Sequence, residues 1–184
     1  MVSPNLTDVF AGVGVQACLI PPLMAALTFA WMDLRTRRIP NSLTLGTALV
    51  GLGFQWGYGG WEGLANGFGG LAVGFGLLVL PYALGGVGAG DVKALAALGA
   101  WMNPVQTLYL FGYMALAGGG IALGMLGWKG QRLDTVRHCR EWLLSRIFSY
   151  SQGIPAGALA EKSARLPYGP ALALGMGMVF LRGA

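Results

Sequence analysis

Two aspartates stand apart from the other charged residues of the 184-residue sequence. Asp33 follows Trp31-Met32 at the end of an apolar run, and Asp91 closes the segment Gly88-Ala89-Gly90-Asp91 at the edge of another. Loops account for the remaining acids: Asp8 and Glu62 fall in outer segments, and Asp134, Glu141 and Glu161 alternate with Arg and Lys. Two carboxylates brought together in a low-dielectric site cannot both ionise easily. They share one proton, and the pair can act as base and acid on an attacking water. That is aspartic-protease chemistry, and such a pair titrates as a unit. Gly88 and Gly90 would let a substrate backbone approach the acid closely. Blander roles exist for both residues. Asp33 could be a helix-end acid balanced by Arg35, Arg37 and Arg38, and Asp91 could cap a helix N-terminus. In a chain with 32 glycines, Gly-x-Gly-Asp by itself does not decide between these roles.

The elements that must position the two acids follow from composition. Hydrophobic residues make up 55% of the chain and charged residues 10%, with a mean hydropathy of +0.60, whereas a soluble domain carries about 25% charge. Charge-free stretches run over 9–32, 39–61, 63–90, 94–128 and 166–181, and four of them reach the roughly 20 residues that span a bilayer. Disorder, a disulfide scaffold and a cytosolic enzyme are excluded, and residues 1–184 read as a single polytopic membrane domain. The net charge of +5 does not point to nucleic acid, because the basic residues sit in loops between spans. Cys18 and Cys139 are too few for a disulfide framework or a four-cysteine zinc site.

The positive-inside rule orders the spans. Arg35, Arg37 and Arg38 place the end of span 13–32 in the cytoplasm, 42–58 returns, and 64–84 crosses again to bring Asp91 and Lys93 to the cytoplasmic side. As one helix, residues 94–128 would be about 52 Å long against a hydrocarbon core of about 30 Å. Asn103-Pro104 is the natural break; residues 94–102 alone are too short to cross, so the first part must begin near Gly86 to Gly90, giving spans 88–102 and 105–127. Span 168–182 then completes six transmembrane helices, with both termini outside and every Lys and Arg except Arg182 in the cytoplasm. The cytoplasmic loop 128–167 carries Leu133, Val136, Leu143, Leu144, Ile147 and Phe148 at helical spacing, opposite Arg132, Arg137 and Arg140. It reads as an amphipathic helix lying on anionic lipid. The expected class is therefore an all-α polytopic membrane protein. The intramembrane glycines, Gly67 to Gly76 and Gly118 to Gly120, are expected to serve close helix packing. In this topology Asp33 and Asp91 share one face of the membrane and can meet.

Three blocks make a resemblance specific: Asp33-Leu34-Arg35-Thr36-Arg37-Arg38-Ile39-Pro40-Asn41, then Gly88-Ala89-Gly90-Asp91-Val92-Lys93, then Leu166-Pro167-Tyr168-Gly169-Pro170-Ala171. In this order they resemble the type IV prepilin peptidase family. The resemblance implies a polytopic aspartic endopeptidase that cuts the basic leader from prepilin or pseudopilin precursors at the cytoplasmic face of the inner membrane. Asp33 and Asp91 would be its catalytic pair, Gly88 and Gly90 its active-site loop, and Lys93 a substrate-positioning cation. Larger members carry a cytoplasmic segment with paired cysteines, associated with N-methylation. This chain has no Cys-x-x-Cys, so it resembles the short, peptidase-only members, and methyl transfer from S-adenosylmethionine is not expected. Neither a metal nor an organic cofactor is expected, and the expected partners are the precursor and membrane lipid.

Two other classes compete. A proton-coupled transporter subunit would place acids near the membrane midplane, whereas here both lie at one face. A structural component of a secretion or pilus machine would use the aspartates as helix caps and tolerate Asp→Asn.

Overall fold

The computed structural model describes residues 15–36, 39–83, 86–128 and 168–182, and the regular elements among them are all helices. They are α1 (Val15–Thr36), α2 (Asn41–Ala83), α3 (Ala89–Gly99), α4 (Pro104–Trp128) and α5 (Gly169–Arg182). The amphipathic helix expected within 128–167 and both chain termini lie outside the described residues.

The exterior of the bundle is apolar. Ile20, Met24, Leu27, Leu45, Leu49, Phe68, Phe75, Leu116, Met178 and Leu181 all point outward, while Asp91, Thr44, Gln55 and Thr107 are buried. An outward face this apolar is unfavourable in water and suited to lipid. By length and composition α2 can cross a membrane: its most apolar 18-residue window has a mean hydropathy of 1.7.

α2 is two helical limbs rather than one straight rod, and its break falls between the segments 42–58 and 64–84 that were expected to form separate helices. Gly60, with φ 56° and ψ −139°, interrupts it, a conformation that glycine enters without Cβ strain. The limbs on either side fold back on each other. A Cβ on Gly63 would collide with the Gln55 carbonyl, and one on Gly67 would lie 3.0 Å from Leu52 Cδ2.

α3 is short, 11 residues or about 16 Å, and buried on nearly every side. Ala94, Leu95 and Leu98 show no exposed surface. Glycine-to-backbone contact explains how it fits. Gly70 and Gly99 abut so closely that a Cβ on either would strike the other's carbonyl, and a Cβ on Gly74 would lie 2.8 Å from the Leu95 carbonyl. Within lipid no hydrophobic force drives helices together, so close approach of small residues supplies the contact. Not every glycine serves this purpose: Gly76, Gly119 and Gly120 have open space where a Cβ would go.

The break at Asn103-Pro104 has a clear local cause. Trp101 and Met102 close a tight turn on the Leu98 and Gly99 carbonyls, so α3 stops at Gly99, three residues short of the expected 102. Asn103 Oδ1 accepts from the Gln106 N–H at 2.8 Å and caps α4, while Pro104 occupies a first-turn position where no N–H is needed. The Trp101 indole lies across Gly51 and donates to the Thr47 carbonyl at 2.9 Å, tying this turn to the first limb of α2.

The other helices form a second packing group. α5 lies against α4, where Gly175 meets the Met114 backbone, and against α1, where Gly169 meets Ala30 and Asp33. α1 buries Leu19, Pro22, Ala26, Phe29 and Ala30, a stripe at helical spacing. The next inward position is Asp33. α1 runs on to Thr36 rather than ending near 32 as expected. Its last turn is exposed at Leu34, Arg35 and Thr36, and a basic residue there favours the helix C-terminus. Asp33 is thus a residue inside the helix.

Candidate active site

Four helix ends converge at one end of the bundle: the last turn of α1 and the first turns of α2, α3 and α5. Asp91 sits in the first turn of α3 and is 9% exposed. It does not take the cap position; Gly88 does, with extended backbone and no side-chain cap. The Asp91 N–H donates to the Gly88 carbonyl at 3.1 Å, closing the turn. A Cβ on Gly88 would stand 3.2 Å from Asp91 Oδ2, so this glycine keeps the approach to the carboxyl clear. Gly90 has a different neighbour, Ile39, at ordinary contact distance for an added Cβ.

Asp33 is half-buried and held from an unexpected direction. The backbone N–H of Gly169 donates to Asp33 Oδ2 at 2.9 Å, across 136 positions of sequence. A Cβ on Gly169 would lie 2.7 Å from Asp33 Cβ and 3.0 Å from Ala30 Cα. The contact therefore depends on glycine at this position. The arginine counter-charge considered for Asp33 takes another form at Arg35, whose guanidinium stacks over the Trp31 ring at 4.8 Å. Arg37 and Arg38 lie outside the described residues.

The two acids lie within electrostatic reach of each other. The Asp33 charge acts on Asp91, and Tyr168, at the start of α5, is within electrostatic reach of Asp91. Lys93 faces elsewhere: its ammonium is exposed and donates to Asn41 Oδ1 at 2.9 Å, joining α3 to the start of α2. Among the described residues no three His, Cys, Asp or Glu side chains gather as a metal site. Asn41, Tyr168 and Gly169 fell within the blocks that carried the resemblance, yet residue type gave them no role. Their contacts join residues far apart in sequence and leave no mark on spacing.

Two carboxyls from different helices, with glycines beside both, at one end of an apolar bundle form an arrangement suited to acid–base hydrolysis. Residues 20–123, more than half of the chain, match the type IV leader peptidase family, and the match includes Asp33, Asp91 and Lys93. Neither the curated proteins nor the solved structures give a match. The chain belongs to the type IV leader peptidase family, a family of membrane-embedded peptidases.

Proposed function

We propose that this protein is an aspartic endopeptidase of the inner membrane that removes the basic leader peptide from type IV prepilin-like precursors at the cytoplasmic face. The observation that carries the reading is the pairing of Asp33 and Asp91. They come from different helices at one end of the bundle, within electrostatic reach of each other and flanked by glycines on the α3 and α5 sides. One carboxylate takes a proton from water as the water oxygen bonds to the scissile carbonyl carbon, and the other, protonated, gives its proton to the carbonyl oxygen. The tetrahedral diol then collapses. The carbon–nitrogen bond breaks, the first acid protonates the leaving amine, and the second recovers its proton from the diol. A pair with Asp91 buried and Asp33 half-buried suits this cycle because burial and neighbouring like charges favour a single shared proton.

The fitting substrate is an apolar helical segment preceded by a short basic leader. Its apolar part matches the lipid in which the bundle sits, and the scissile bond would enter from the end where α1 finishes and α3 begins. Lys93 is placed to act indirectly, by fastening α3 to Asn41. Co-expression with small pilin precursors tests the reading. A shift to the mature size on a gel is expected with the native chain and lost with Asp33→Asn or Asp91→Asn; processing by either variant would overturn it.

A further inference from the structure

The two acids are not equivalent, and the difference lies in what touches them. Asp91 is nearly enclosed, at 9% exposure, whereas Asp33 is half-buried and accepts the Gly169 N–H at 2.9 Å. Gly169 opens α5: the Leu172 N–H donates to the Tyr168 carbonyl at 3.0 Å, so Tyr168 is the cap and Gly169 the first helical residue. First-turn N–H groups have no partner within the helix, and the next residue, Pro170, has none to offer. The Gly169 N–H therefore meets Asp33 from the positive end of a 14-residue helix. A hydrogen bond donated to the charged form of a carboxyl favours that form, and burial favours the neutral one.

We propose that the Gly169 N–H is the positioning group that fixes Asp33 as the ionised base of the pair, leaving the shared proton on Asp91, which acts as the acid. The inference rests on the aspartic reading above. In the cycle, Asp33 removes the proton from water and later delivers it to the leaving amine, while Asp91 lends its proton to the carbonyl oxygen and regains it. Glycine is required at 169 because a Cβ would lie 2.7 Å from Asp33 Cβ and 3.0 Å from Ala30 Cα, forcing α5 away from α1 and lengthening the contact. The last helix, outside the 20–123 family match, thereby becomes part of the active site.

The test is steady-state cleavage of a prepilin by the full chain in detergent, across pH. For Gly169→Ala we expect kcat to fall roughly 10- to 100-fold, the range for a misplaced catalytic group, with KM unchanged. The acidic limb of kcat/KM should move to higher pH, because the base loses a donor that favours its charged form. An effect on folding alone would lower the amount of active enzyme and leave the limb in place, which would overturn the proposal. A second measurement needs no change at position 169. In full-length protein labelled with 15N-glycine, the Gly169 amide proton should lie downfield at neutral pH, shift upfield on acidification, and lose that response in Asp33→Asn. An amide that ignores both pH and Asp33→Asn would refute the assignment. The aspartic reading fails separately, if either Asp→Asn variant still cleaves.

Discussion

Asp91 and Asp33 belong to two differently built halves of the bundle. The Asp91 half, α2 with α3, is assembled by backbone against backbone: Gly70 on Gly99, Gly74 on Leu95, and Gly67 beside the Ala100 carbonyl. The Asp33 half, α1 with α4 and α5, has two such glycine contacts, Gly175 on Met114 and Gly169 on Ala30, but also buries large side chains such as Phe29, Leu110, Leu172 and Met176, and its acid is held by one hydrogen bond from Gly169. The first half fixes an acid by seating the whole helix that carries it. The second fixes an acid locally, through a contact made across the longest sequence separation in the site. Damage in the two halves should therefore look different, with losses of stability in the first and losses of turnover in the second.

The largest stability effect is expected from Gly70→Val. Its Cβ would enter the Gly99 carbonyl, and forcing extra atoms into a close-packed contact costs about 1–3 kcal/mol or more. Thermal unfolding in detergent should show a clear drop, with cleavage falling in proportion to folded protein. Trp101→Phe removes the indole donor to the Thr47 carbonyl and should cost about 1 kcal/mol, read in the same assay. Lys93→Ala should lower cleavage only partially, roughly two- to tenfold, because an exposed hydrogen bond contributes about 0.5–1.5 kcal/mol. A loss as deep as that of an aspartate variant would mean that Lys93 takes part in the chemistry. Gly76→Ala should be smallest, within about 0.5 kcal/mol of the native protein, since nothing lies within 4 Å of its added Cβ. A large effect there would break the distinction between glycines that seat α3 and glycines that do not.

Charge placement made the two acids legible in the sequence: with so few ionisable residues, Asp33 and Asp91 could be singled out by position. The break at Asn103-Pro104 was equally legible, because cap and proline act locally and the structure uses both. Glycine roles were legible only in outline. Gly67, Gly70 and Gly74 recur on one helical face and meet α3, but Gly76, Gly119 and Gly120 have the same residue type and open surroundings. Which glycine is needed depends on the neighbour, and the neighbour is a tertiary fact. The charges at 33 and 35 predict an end to α1 near 32, but the helix runs to Thr36: Arg35 suits a helix C-terminus, and Asp33 finds a donor in the Gly169 N–H. The Gly169 contact was beyond reach for a similar reason, since a backbone N–H belongs to every non-proline residue and its partner is set by folding.

The central claim, that Asp33 and Asp91 form one catalytic pair, is tested most directly by single-residue replacement with a cleavage readout. Asp33→Asn and Asp91→Asn preserve size and remove one carboxyl each. Each should abolish leader removal from a co-expressed prepilin, a loss of at least about 100- to 10,000-fold for an acid–base group, while the variant protein stays in the membrane at native abundance. Leader removal by either variant at a rate near that of the native chain would contradict the paired-aspartate account.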